Sequence, residues 1–262
     1  MDERNVEILK AICAAEREAA KLIMHAHGVM SEMKSGRRDV VTEYDKRVQA
    51  LLIERLRAAV PGACFFCEES SVQEDLSAPD VFIIDPIDGT MNFVKGMHHS
   101  CISVAYARAG VLSAAAVYNP YADELFTALR GEGAYLNSRP IHVDDAPLSE
   151  SLFCLGSSPY NTELADETFR LARLAFDASL DLRRLASAEL DLCMVAAGRA
   201  GLYFEACLSL WDYAAGMLIL SEAGGICSQL DGSPLPFDGR KPSIAAGSPR
   251  AYADFMALIK EG

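Results

Sequence analysis

The apolar run Val81-Phe82-Ile83-Ile84 stops at Asp85-Pro86-Ile87-Asp88-Gly89-Thr90. A strand of the kind buried on both faces thus ends in two carboxylates three residues apart, which few folds have reason to build. Pro86 stiffens the turn between them. Gly89 permits close backbone approach, and Thr90 can present a hydroxyl near a helix start. Two carboxylates this close repel each other unless a cation lies between them, and oxygen ligands on a tight turn suit Mg²⁺. Alone, the pair reads equally well as caps of a turn and a helix. Two further acidic clusters sit at the boundaries of apolar elements. Glu68-Glu69-Ser70 follows the short run Cys64 to Cys67, and Trp211-Asp212 opens an apolar helix. Asp212 also suits an N-cap or first-turn position, but three such clusters exceed what capping needs.

The surrounding pattern splits the chain into two halves. In the first, Ile8, Ile12, Ala15, Ala19 and Leu22 mark a helix whose pattern ends at Gly28. A second helix follows Thr42, with Val48, Leu51, Leu52, Leu56 and Ala59 as its apolar face and Pro61-Gly62 as its stop. Lys34 to Arg38 reads as a polar loop between them. Closely spaced β-like runs at 64–67, 81–84, 101–106, 111–118, 125–129 and 133–136 predict an antiparallel sheet. From about residue 148 strands alternate with helices: strand 152–155, helix 162–176, helix 188–197, strand 201–204 and helix 213–222. That half reads as α/β. The expectation is one compact unit over 1–262, with a first half of about 1–147 and a second of about 148–262.

Composition narrows the function classes. Hydrophobic residues make up 51% of the 262 and charged ones 23%, so the chain has the apolar surface to order itself. Against 24 Lys and Arg stand 37 Asp and Glu, a net charge of −13, which argues against a nucleic-acid footprint or a polybasic membrane anchor. No run approaches a spanning helix, and the charged first 25 residues are no signal peptide. The eight scattered cysteines then read as reduced thiols of a cytoplasmic protein. In Cys64-Phe65-Phe66-Cys67 the two thiols would point to opposite faces of a strand and would not meet. Asp45 lies in Thr42-Glu43-Tyr44-Asp45, a capping-box pattern.

Glu68-Glu69-Ser70, Asp85-Pro86-Ile87-Asp88-Gly89-Thr90 with Asn92-Phe93, Trp211-Asp212 with Ala214-Ala215-Gly216, and Glu222-Ala223-Gly224-Gly225 resemble the inositol monophosphatase family in order and spacing along nearly the whole chain. The resemblance implies a layered αβαβα sandwich, α+β to α/β in class, with an antiparallel sheet in the first half and a mixed sheet in the second. It implies a Mg²⁺-dependent phosphomonoesterase, with two or three Mg²⁺ ions per active site. Glu68, Asp85, Asp88, Asp212 and the carbonyl of Ile87 match the family's metal ligands. Glu68 and Thr90 match its water-activating residues, and Asp45 matches the partner of that threonine. Lys34 matches a position on a mobile loop near the metals. Asp88, Gly89, Thr90 and Asp212 fall around the phosphate. Ser157 or Ser158, the backbone of Ala188, and Glu205 match contacts to the rest of the substrate.

An acid at Glu205 favours a polyol ester, most simply myo-inositol monophosphate. The same chemistry could serve fructose 1,6-bisphosphate, histidinol phosphate or a 3′-phosphonucleotide, and a non-catalytic binding protein of the same fold is the other class. The resemblance further implies a homodimer acting on a small phosphorylated substrate, with no nucleic acid and no membrane among its partners. Cys67, Met91, Ala186, Glu189 and His98-His99 depart from the usual pattern. Ala186, where Gly is frequent, and Glu189, where Ala is frequent, are expected at the pocket edge.

Overall fold

The computed structural model describes residues 2–36 and 38–261. Helix α1 (Glu3–Met24) starts at Asp2, whose side chain accepts from the Arg4 N–H at 3.0 Å. Ile8, Ile12, Ala15, Ala19 and Ile23 form its buried face. The segment expected as a polar loop is instead a hairpin of β1 (Ser31–Gly36) and β2 (Asp39–Thr42), with Arg37 outside the described residues. Val40 and Val41 favour the extended backbone that periodicity over so short a stretch does not reveal. Helix α2 (Glu43–Ala59) begins with the capping box read from the sequence: Thr42 caps the Asp45 N–H, and Asp45 accepts from the Thr42 N–H. Val48, Leu52 and Leu56 are buried as expected, while Ala59 is exposed.

The next strands are β3 (Cys64–Cys67) and β4 (Asp80–Asp88), followed by the short helix α3 (Thr90–Val94). Then come β5 (Cys101–Arg108), β6 (Val111–Asn119), β7 (Glu124–Leu129), β8 (Ala134–Leu136) and β9 (Arg139–Ile141). They form one seven-stranded sheet in chain order. Every pair is antiparallel except β3 with β4, because the link 68–79 is long enough to return the chain in the same direction.

The second half holds β10 (Leu152–Leu155), α4 (Ala165–Asp177), β11 (Asp181–Arg183), α5 (Ala188–Ala196), β12 (Leu202–Glu205) and α6 (Ala214–Glu222). It ends with β13 (Ile226–Ser228), β14 (Ile244–Gly247) and α7 (Pro249–Glu261). The five strands are ordered β11-β10-β12-β14-β13, parallel around β10 and antiparallel around β14.

Alternation along the strands stacks these elements in five layers. Phe82 and Ile84 face α1 and α2, whereas Val81 and Ile83 face α5 and α6. Cys154 and Tyr203 face α5 and α6 from the other side, while Phe153, Leu155, Leu202 and Phe204 pack against α4 and α7. The result is the αβαβα sandwich. Cys64 and Cys67 lie against opposite cores, and all eight cysteines are free thiols. No helix among the described residues is long and apolar enough to cross a membrane.

Candidate active site

The ends of β3, β4 and β12 lie beside the starts of α3, α5 and α6, and the acids collect there. Asp85, Asp88 and Asp45 are buried, and each is anchored by its own surroundings. Asp85 Oδ1 accepts from the Ile87 N–H at 3.0 Å across the β4 turn. Asp88 Oδ2 accepts from the Ser187 hydroxyl at 2.6 Å and the Glu189 N–H at 2.8 Å, so it sits on the first turn of α5. Asp212 Oδ2 accepts from the Ser209 N–H at 2.7 Å in a second capping box. Capping and clustering therefore coexist: each aspartate both accepts from a backbone N–H and stands among other acids.

Burial, then the charge of Glu68 and of the neighbouring aspartates, pushes Asp85 and Asp212 well above the ordinary carboxylate range. Burial likewise raises Asp88, to about 6, although hydrogen bonds from Ser187 and the Glu189 backbone oppose it. Glu68 stands at the exposed end of the group. It and Glu69 both accept from the Lys34 ammonium, at 2.9 Å for Glu68. Lys34 thus belongs to the β1–β2 hairpin and closes one side of the acids. Burial and the charge of Glu68 bring Glu69 up to about 7, with Lys34 opposing.

Thr90 joins two sets of residues. Its hydroxyl lies 3.1 Å from Asp45 Oδ1 and 3.0 Å from the Ile87 carbonyl, either of which can accept its proton. Burial raises Asp45 despite bonds from Thr42 and Thr90. Gly89 has φ +86°, and a Cβ there would lie 3.0 Å from the Ala186 carbonyl and 3.2 Å from that of His99. Only glycine fits this turn without displacing backbone.

On the substrate side, Glu205 is buried and not the surface carboxylate that its residue type suggests. It accepts from the Ser158 N–H at 2.6 Å, the Ser158 hydroxyl at 3.1 Å and the Tyr203 hydroxyl at 2.8 Å. Ser158, rather than Ser157, is therefore the serine joined to Glu205. Ser157 instead accepts from Arg184 Nη2 at 2.8 Å. Ala188 presents its backbone to Asp88.

Glu189 is not at a pocket edge. Its side chain is fully buried, and burial beside Asp88 raises it to about 8. Sequence reasoning also passed over Asn92 as a tie: its amide donates to the carbonyls of His99 and Leu185, both at 2.7 Å. Ser187 and Ser209 were missed too, although each stands just before a helical turn, where a serine is worth testing as a cap.

Among the described residues no three His, Cys, Asp or Glu side chains stand together as a finished ion cage. Glu68 meets the Lys34 ammonium at 2.9 Å while it also hydrogen-bonds with Asp85. The donor set is still that of a hard divalent cation, with carboxylates and one backbone carbonyl, no thiol and no imidazole. Carboxylates raised by burial first and by one another's charge second are the groups that such a cation would relieve.

The profile of the inositol monophosphatase family matches residues 4–261. The protein named Nus factor SuhB of Vibrio cholerae is 35% identical over 254 residues, covering 97% of this chain and 94% of its own. The crystal structure of the extragenic suppressor protein suhB from Bartonella henselae superposes with a TM-score of 0.91 at 31% identity, covering 97% of this chain and 99% of its own. A structure described as an IMPase/NADP phosphatase complexed with Mg²⁺ and phosphate gives a TM-score of 0.86 at 25% identity, covering 98% of this chain and 97% of its own.

Proposed function

Because the chain belongs to the inositol monophosphatase family, we propose that it is a Mg²⁺-dependent phosphatase of a small phosphomonoester, with a phosphorylated polyol such as myo-inositol monophosphate as the best-fitting substrate. The observation that carries this reading is the convergence of Glu68, Asp85, Asp88 and Asp212, whose charges act on one another. Those four side chains and the Ile87 carbonyl would hold the cation. A divalent cation bound there neutralises the ester's charge and makes water a stronger nucleophile at neutral pH. The relative that binds Mg²⁺ and phosphate supports the same pairing for this chain.

The chain's own residues then divide the work. Thr90 donates its hydroxyl proton to Asp45 and so turns its oxygen lone pairs toward an attacking water. Glu68, at the exposed end of the acids, accepts a proton from that water. The Gly89 and Thr90 N–H groups, at the start of α3, hold phosphate oxygens. Glu205, fixed by Ser158 and Tyr203, accepts from hydroxyl groups of the polyol. A homodimer belongs to this reading through the family resemblance alone.

A second reading, a non-catalytic binding protein of the same fold, rests on the relatives. Those that carry the name Nus factor SuhB align over 97% of this chain. The net charge of −13 therefore does not exclude a nucleic-acid partner for this chain. Phosphate release from polyol, sugar and nucleotide monoesters, each across a Mg²⁺ titration, separates the two. The enzymatic reading expects metal-dependent release, fastest from a polyol ester. No release from any ester at any Mg²⁺ concentration would reject it and leave the second reading.

A further inference from the structure

Glu189 has no part in the chemistry just described, yet it is bonded to Asp88 at the end of β4, to β5 and to α6, the helix that follows Asp212. Its backbone N–H donates to Asp88 Oδ2 at 2.8 Å. Its Oε1 accepts from the Ser103 hydroxyl at 2.9 Å, and Ser103 is the β5 residue directly across from Asp85. The same oxygen accepts from the Ala215 N–H at 3.2 Å, and Oε2 accepts from the Gly216 N–H. Ala215 and Gly216 lie in the first turn of α6, three and four residues after Asp212.

The seat is built for a carboxyl group. Glu189 is fully buried, and a Cβ at Gly216 would lie 2.6 Å from Glu189 Oε2 and 2.7 Å from Leu192 Cβ. Two N–H groups of a helix start and one hydroxyl satisfy its oxygens, which offsets the cost of removing them from water. Simple filling of this space would be served by an apolar side chain without that cost. The residue is thus bonded to α6, β5 and Asp88 at once.

We propose that Glu189 is a positioning residue that locks α6 to β5 and α5 by hydrogen bonds, and thereby sets the spacing of Asp85, Asp88 and Asp212 required to bind a divalent cation. This rests on the reading of those acids as a cation centre. The test is direct Mn²⁺ binding, followed by the loss of the free-ion electron paramagnetic resonance signal, with circular dichroism as a check of folding. The variants are Glu189→Ala, Glu189→Gln and Ser103→Ala.

Glutamine with its carbonyl oxygen in the place of Oε2 still accepts from the Gly216 N–H, and its NH2 can donate to the Ser103 hydroxyl, but the Ala215 N–H loses its acceptor. Glu189→Gln should therefore bind Mn²⁺ about threefold more weakly than wild type. Glu189→Ala should bind at least about tenfold more weakly, and Ser103→Ala about three- to fivefold more weakly. Wild-type affinity in both alanine variants would overturn the proposal, as would a loss in Glu189→Gln equal to that in Glu189→Ala. Should Glu189→Ala fail to fold, Ser103→Ala decides: weakened binding supports the lock and unchanged binding overturns it. Absence of Mn²⁺ binding by the wild-type chain is a different result, because it removes the cation centre itself and the proposal with it.

Discussion

Glu205 is a buried carboxylate that the fold holds by both of its oxygens. One oxygen is tied to Ser158 and the other to Tyr203, and a Cβ at Gly156 would lie 1.8 Å from Oε2. The side chain therefore has little freedom to move aside when a substrate arrives. If it grips a polyol, Glu205→Gln should raise KM for an inositol phosphate by about tenfold, the scale of one hydrogen bond to a charged group. KM for a simple aryl phosphate should change little, because a contact equal in ground and transition states acts through binding. Steady-state kinetics on both esters check this, and equal changes would place Glu205 outside the polyol pocket.

At the scale of elements, legibility in the sequence followed length and burial. Helices α1 and α2 and strands β3 to β7 announced themselves through sustained periodicity or continuous apolar runs. The three-residue strands β11 and β13 offer too few positions for any period. The β1–β2 hairpin carries charged residues in a short bulged ladder, so Lys34 to Arg38 read as a loop. In the site, the acids stood out because carboxylates at strand ends are costly without a purpose. Ser103, Ser187 and Asn92 did not, because their roles depend on partners 86 to 99 positions away or on turn geometry.

The turn before α5 makes a further prediction. Ala186 adopts φ +67°, a left-handed conformation that costs an alanine about 1 kcal/mol or more. Ala186→Gly relieves that strain, less the extra freedom that glycine gives the unfolded chain. A net gain of about 0.5 kcal/mol should raise Tm by roughly 1–2 °C in calorimetry. A lower Tm would mean that the turn is not strained by its side chain.

Across the whole molecule the layers are electrically linked. Glu16 lies in the buried face of α1, and neither of its carboxyl oxygens has a hydrogen-bond partner. Burial raises its pKa well above the ordinary 4.5, and the charge of Glu189, on the far side of the seven-stranded sheet, raises it further. The folded chain thus holds this proton more tightly than the unfolded chain. The contribution to stability is complete below the ordinary value and is lost as pH rises toward the raised one. Glu16→Leu should therefore raise Tm at pH 8 by more than at pH 4.5. Removing the unpaired oxygens adds about 1–3 kcal/mol at either pH. Thermal unfolding at the two pH values tests the sign, and an equal gain at both would contradict it.

The central claim is that the clustered acids hold a cation that drives phosphomonoester hydrolysis. Asp88 is its most exacting point, since it ends β4, rests on the start of α5 and lies within reach of the Glu68 charge. The decisive measurement is the initial rate of phosphate release from an inositol monophosphate against Mg²⁺ concentration, for wild type and Asp88→Asn. The account predicts metal-dependent turnover in the wild type. In the folded variant it predicts a fall in kcat of about 10²-fold or more at the highest Mg²⁺, because a ligand charge worth several kcal/mol is gone. Near-wild-type turnover by Asp88→Asn, or wild-type turnover indifferent to Mg²⁺, would contradict it.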